Sequence, residues 1–146
     1  RRALEIKKAY IEDDEFDRGP RNIFNYGHTF GHAIEAATDF AIPHGIAVTI
    51  GMDMANFVSS RIGDGTENHF RRLHPTLAAN YDGFQSHRVP FDPFLDAILK
   101  DKKNTGSGSV TMILPGPDGR VAKVTHAADD EFKTACRTFL EDVRAA

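Results

Sequence analysis

The apolar residues of this chain recur at helical spacing along most of its length and switch to alternation over one short stretch. That pattern predicts a mainly α-helical fold with one small β-hairpin. Leu4, Ile6, Tyr10 and Ile11 open it as a first helix, with no start methionine and no capping residue ahead of them. An acidic turn broken by Gly19-Pro20 follows, and a second helix is expected from about Arg21 to Asp39, with Pro43 ending the next loop. A third is expected from His44 to Ile62, where Gly45, Ala47, Gly51 and Ala55 permit close helix packing and Gly63-Asp64-Gly65 stops the run. Further helices are expected at Glu67 to Asn80 and Phe91 to Asn104, the latter capped by Asp92 with Pro93 at its first position. Ser109 to Leu114 and Arg120 to Val124 flank Pro-Gly-Pro-Asp-Gly as a hairpin. The last helix, about Ala128 to Arg144, gathers Phe132, Ala135, Cys136, Phe139, Leu140 and Val143 on one side.

At 146 residues the chain is sized for one domain, residues 1–146, with its own core. A formal charge of -3 without a basic block gives nucleic acid or an anionic membrane nothing to attract, so any anion must be held by a local site. Apolar runs such as Ile46-Ala47-Val48 are too short to span a bilayer, and no signal-peptide core is present; a cytoplasmic location is the default expectation. Cys136 is the single cysteine, which rules out an internal disulfide and a cysteine zinc cage and leaves metal binding to histidines and carboxylates. A chain that begins inside a helix pattern reads as a domain excised from a longer protein.

The chemistry concentrates in one block. Arg21, Asn25, His28 and His32 are spaced by four, three and four residues, which on a continuous helix places all four on one face, away from Ile23, Phe30 and Ile34. A solvated face is the alternative, but such faces favour Lys, Glu and Gln, and two glycines among the histidines weaken a helix. His28 and His32 can point at one ligand, and His44 follows in Pro43-His44-Gly45. Imidazole is a common zinc ligand, and catalytic zinc keeps three protein ligands and one open position. On spacing alone, a metal cluster and hydrogen-bonded interior histidines both remain open.

Arg21 to Glu35, followed by His44-Gly45-Ile46-Ala47-Val48-Thr49-Ile50-Gly51-Met52, resembles the central block of the 3-dehydroquinate synthase family, roughly R-x-x-x-N-[FY]-G-H-[ST]-x-G-H-A-x-E and then H-G-E-A-V-x-x-G-M. The resemblance extends over about residues 4 to 114. It implies the helical C-terminal domain of a sugar phosphate cyclase whose nucleotide-binding N-terminal domain is not in this chain, with the active site in the cleft between the two. His28 and His44 would then be zinc ligands, the third being a glutamate upstream of Arg1, and His32, Asn25 and Lys7 would meet the substrate. Arg21 and one of Lys102 and Lys103 would hold its phosphate and carboxylate. The implied cofactors are a divalent metal such as Zn2+ and NAD, bound mainly by the other domain. The partners would be a small sugar phosphate, the N-terminal domain, and a second copy in a homodimer.

Ile46 departs from the family, which usually carries Glu there, and this bears on the substrate more than on the metal. Cyclases making 2-deoxy-scyllo-inosose or epi-valiolone are therefore alternatives, as are a relative of the iron-containing alcohol dehydrogenases and a non-catalytic binding module. By this reading the chain alone is inactive. His69, His74, His87 and His126 read as exposed or capping imidazoles, Cys136 as a core residue, Gly106 to Ser109 as a flexible turn, and Asp13-Asp14-Glu15 as an exposed acidic turn.

Overall fold

The computed structural model describes residues 2–13, 20–100 and 108–145. Its elements in chain order are α1 (Arg2–Asp13), a 3-10 helix (Pro20–Asn25), α2 (His28–Ala37), α3 (His44–Ile62), α4 (Glu67–Asn80), α5 (Phe91–Lys100), β1 (Ser109–Pro115), β2 (Val121–Ala127), α6 (Asp130–Thr138) and a π-helical turn (Phe139–Val143). The mainly helical fold with one hairpin is the one the apolar periodicity predicts.

α3 is the axis of the domain. Residues from Ala47 to Ser59 are buried almost without interruption, as a helix surrounded on all sides must be, and α2, α4, α6 and β1 pack around it. Phe30 of α2 stacks on Phe94 of α5 and on Phe132 of α6. At the other end, Phe57 of α3 meets Phe70 and Phe139. Cys136 lies in this core, where burial pushes its thiol up. The strands pair antiparallel with Ser109 opposite Ala127 and Pro115 opposite Val121. β1 is the buried strand and β2 the more exposed one. The Ser59 hydroxyl donates to the Pro115 carbonyl at 2.6 Å, tying the hairpin to α3. The Arg144 guanidinium, also buried, donates to the carbonyls of Phe84 and His87 at 2.8 and 2.6 Å and so fastens the chain end to the loop before α5.

Several expected boundaries are corrected. The helix expected from Arg21 to Asp39 is two pieces, because Gly27 takes φ 80, the left-handed region that ends one helix and that only glycine enters without strain. Gly27 then starts α2, its carbonyl accepting from Gly31 N at 2.8 Å. Arg21 and Asn25 are thus not on the same helical face as His28 and His32. In α3, Ala47, Gly51 and Ala55 are packed, but Gly45 has open space around it and takes no part in the close approach. α5 starts at Phe91, with Phe94 N bonded to the Pro90 carbonyl at 3.1 Å, so Asp92 lies inside the first turn and is not the cap. The cap of α6 is Asp129, whose carboxylate accepts from Phe132 N at 2.9 Å. Residues 14–19 and 101–107, which hold most of the acidic turn, the end of the expected fifth helix and the first half of the Gly-Ser stretch, lie outside the described residues.

Candidate functional site

The motif histidines meet where two helices begin. His28 is the first residue of α2, His32 lies one turn on, and His44 opens α3 after a loop in which Asp39 and Phe40 both take positive φ. That loop folds α3 back on α2, and small residues decide how closely. A Cβ built on Gly51 would stand 2.1 Å from the Gly27 carbonyl oxygen and 2.8 Å from Gly31 N. The two backbones therefore touch beside the imidazoles.

The ring centroids are 5.5 Å apart for His28 and His32, 5.7 Å for His28 and His44, and 5.9 Å for His32 and His44. A Zn–N bond of about 2 Å puts a ring centre roughly 3 Å from the metal, so two imidazoles on one tetrahedral ion have centres about 5 Å apart. The cluster is close to that spacing. Among the described residues no group of three His, Cys, Asp or Glu side chains is arranged to hold a metal ion by itself. The imidazoles fit a metal as a partial donor set that needs a ligand from elsewhere.

Two of the rings are oriented from behind. Nδ1 of His44 donates to the carboxylate of Glu35, a residue of α2 that is only 8% exposed. Nδ1 of His28 lies 3.3 Å from the Tyr26 carbonyl oxygen. Both rings thus have Nε2 available to a ligand in front. The front face is open, since His32 and His44 are exposed. Two surface grooves of about 400 and 440 Å³ flank α6 and include none of these residues.

Beneath the cluster runs a polar layer that sequence reasoning missed. The Tyr26 hydroxyl donates to Asn56 of α3, and burial, with the nearby Asp53 charge adding, pushes its pKa up to about 12 against that hydrogen bond. Asp53 is fully buried and accepts from Tyr81 OH and His74 Nδ1, both at 2.7 Å. Burial raises its carboxyl above the usual range, and those two partners pull the other way. His74 is therefore a half-buried partner of a core carboxylate, not the exposed or capping imidazole expected. A single Asp inside the apolar run of α3 was the available signal.

The other expected site residues are spread out. Lys7 is exposed on α1, which packs on the 3-10 helix through Tyr10 edge-on to Phe24, centroids 5.3 Å apart. Asn25, at the end of that helix, lines a small crevice with Thr29, Ile113 and Lys123. The Arg21 backbone is in the 3-10 helix, while its side chain, like Lys102 and Lys103 entirely, lies outside the described residues. Ile46 is partly buried against the core, so the apolar residue serves packing.

Comparison with known proteins agrees with this architecture. The 3-dehydroquinate synthase of Alkaliphilus metalliredigens is 36% identical over 141 residues, covering 96% of this chain and 39% of that protein. The synthase of Campylobacter curvus is 40% identical over 141 residues, covering 94% and 40%. The chain thus spans about two fifths of the length of the curated relatives it matches. Among solved structures, a 2-deoxy-scyllo-inosose synthase complexed with carbaglucose-6-phosphate, NAD+ and Co2+ superimposes with a TM-score of 0.76 at 25% identity, over 92% of this chain and 39% of that one. A 2-epi-5-epi-valiolone synthase from Streptomyces hygroscopicus with NAD+ and Zn2+ bound shares the fold, with a TM-score of 0.74 at 24% identity over 97% and 39%. Residues 1–104 match the family described as 3-dehydroquinate synthase C-terminal, and the chain belongs to that family.

Proposed function

We propose that this chain is the metal- and substrate-binding part of a 3-dehydroquinate-synthase-type cyclase, which eliminates phosphate from a sugar phosphate and closes a ring by aldol addition. The observation that carries the reading is the convergence of His28, His32 and His44 on an open face at the abutting starts of α2 and α3. His28 and His44 are assigned to the metal, with a third ligand from an N-terminal domain that also binds NAD. When bound, the metal supplies Lewis acidity toward hydroxyl and carbonyl oxygens, and NAD takes and returns a hydride. His32 holds and moves a proton at a substrate oxygen, a role suited to an imidazole near neutral pH. Asn25 and Lys7 position hydroxyl groups, and Arg21 with Lys102 or Lys103 grips phosphate and carboxylate and so aligns the leaving group. The reading places the intact protein in the cytoplasm, in aromatic amino acid biosynthesis, and leaves this chain inactive alone.

The test uses the intact protein and pairs metal analysis with steady-state kinetics. His28→Ala and His44→Ala should lower metal content and turnover together. His32→Ala should keep metal near wild type and reduce kcat about 10²-fold or more. A His32→Ala protein stripped of metal would overturn the division of labour. Ile46 and the likeness to 2-deoxy-scyllo-inosose synthase favour a second reading, a cyclase for a different sugar phosphate. Phosphate release from a panel of six- and seven-carbon sugar phosphates separates the two.

A further inference from the structure

Behind His44 stands a carboxylate that joins the two helices of the cluster. Glu35 lies on α2, one turn beyond His32, at 8% residue exposure, and its carboxylate accepts from Nδ1 of His44. The two partners are asymmetric. The His44 side chain is 60% exposed and that of Glu35 11%, so the carboxylate anchors from inside while the ring reaches outward. A neutral imidazole carries one proton shared between two nitrogens, and a carboxylate on Nδ1 keeps the proton there, leaving the Nε2 lone pair for a ligand. The carboxylate also bridges helices, since Glu35 belongs to α2 and His44 to α3. It thereby holds the ring of His44 toward those of His28 and His32, 5.7 and 5.9 Å away.

We infer that Glu35 is a positioning residue of the metal site: it fixes the tautomer and the orientation of His44 so that Nε2 faces the ion. The inference rests on the assignment of His44 as a metal ligand proposed above. It explains the placing of a carboxylate inside an apolar helix face that otherwise buries Phe30, Gly31, Ala33 and Ile34. Outer carboxylates of this kind orient ligating histidines and raise their basicity, and their loss usually weakens metal binding about 10- to 100-fold.

The experiment measures Co2+ binding to the metal-free intact protein by visible absorption, with a chelator as competitor, in wild type, Glu35→Leu, Glu35→Gln, His44→Ala and the double variant Glu35→Leu, His44→Ala. Leu fills the space and removes the acceptor. Gln keeps an acceptor oxygen. Glu35→Leu is expected to weaken binding about 10- to 100-fold and to shift the cobalt bands, with Glu35→Gln nearer wild type. In the His44→Ala background the Leu substitution should add nothing. Nitrogen NMR of histidine-labelled, metal-free protein in alkaline buffer should show His44 protonated on Nδ1 in wild type and moved toward Nε2 in Glu35→Leu. If His44→Ala loses Co2+ while Glu35→Leu binds it as wild type with unchanged bands, Glu35 has no positioning role and the ligand assignment stands. An effect of Glu35→Leu that persists without His44 also overturns the inference. If His44→Ala binds as wild type, the ligand assignment fails and takes this inference with it. Should Glu35→Leu not fold, the Glu35→Gln affinity and the tautomer decide, because a Gln variant with wild-type affinity and a changed tautomer breaks the link between them.

Discussion

Gly51→Ala tests whether the helix contact sets the geometry of the histidines. The added methyl would stand 2.1 Å from the Gly27 oxygen, 2.8 Å from Gly31 N and 3.0 Å from the Gly27 carbonyl carbon. Ordinary non-bonded separations are about 3.5 Å, so the start of α2 must withdraw from α3 by roughly 1 Å. Each obstructing atom is backbone, and no side-chain rotation relieves the clash. Overpacking of this kind costs about 1–3 kcal/mol, and a rigid backbone contact belongs at the upper end. For a chain of this size about 3 kcal/mol lowers Tm by roughly 6–12 °C. His28 moves with the start of α2 while His44 stays with α3, and a metal site tolerates only about 0.5 Å of error. Metal affinity should therefore fall even where the variant remains folded. Gly31→Ala, whose Cβ would meet Val48 Cα at 3.0 Å and the Ala47 oxygen at 3.2 Å, should be milder, and Gly45→Ala, with nothing within 4 Å, should be neutral or stabilising by about 0.5–1 kcal/mol. Calorimetric melting and metal competition on the three variants give the ranking. A Gly51→Ala protein that melts within about 2 °C of wild type and keeps its metal would refute the argument.

Ser59→Ala removes the donor to the buried Pro115 carbonyl and should cost about 1–3 kcal/mol in urea unfolding, with the hairpin amides losing hydrogen-exchange protection first. Tyr26 holds its proton in the fold up to about 12, whereas in the unfolded chain it ionises near the usual value of about 10. The stability this supplies is whole below about pH 10 and is lost as pH rises toward 12, so Tyr26→Phe should flatten the alkaline slope of the urea midpoint. Asp53 is likewise raised by burial, so its contribution is fullest below the ordinary carboxyl range of about 4 and declines as pH climbs through its folded pKa. The stability difference between wild type and Asp53→Asn should shrink in that direction. Isothermal calorimetry on the 146-residue chain should find Zn2+ bound weakly, and the binding should disappear in a His28→Ala, His44→Ala double variant; affinity surviving that change would place the ligands elsewhere.

The parts of this domain that were legible in advance are those whose signal is local. α3 and α4 begin and end where apolar periodicity and flanking turn residues place them, because a helix stop such as Gly63-Asp64-Gly65 is written in the residues that make it. The hairpin was legible for the same reason, its Pro-Gly-Pro-Asp-Gly turn lying between two alternating runs. At Gly27 the backbone departs from the helical periodicity. Spacing by four, three and four reads as one helix face only if every intervening residue is helical, and at Gly27 a tertiary demand overrides the periodicity. Met52 Cγ, the Val48 oxygen and Met52 N would all lie within 2.8 Å of a Cβ at that position, so the glycine is needed because α3 presses on it. His28 and His32 are nevertheless neighbours, as their own interval of four residues requires, whereas Asn25, at the end of the 3-10 helix, lines a separate crevice with Ile113 and Lys123.

The same distinction separates the histidines from their supports. Paired imidazoles one turn apart announce themselves, but Glu35 sits among Ala33, Ile34, Ala36 and Ala37 and looks like an isolated acid at the end of an apolar helix. Its meaning appears only when the loop through Asp39 and Phe40 folds His44 back over it. Asp53 is the parallel case in α3, an acid in an apolar run whose partners His74 and Tyr81 lie 21 and 28 residues away. In both, the burial of a charged group costs several kcal/mol unless it is hydrogen-bonded, so an acid inside an apolar helical face implies a partner from another element. Composition and spacing state that such a partner must exist. Only the packing of α2 and α4 against α3 names it.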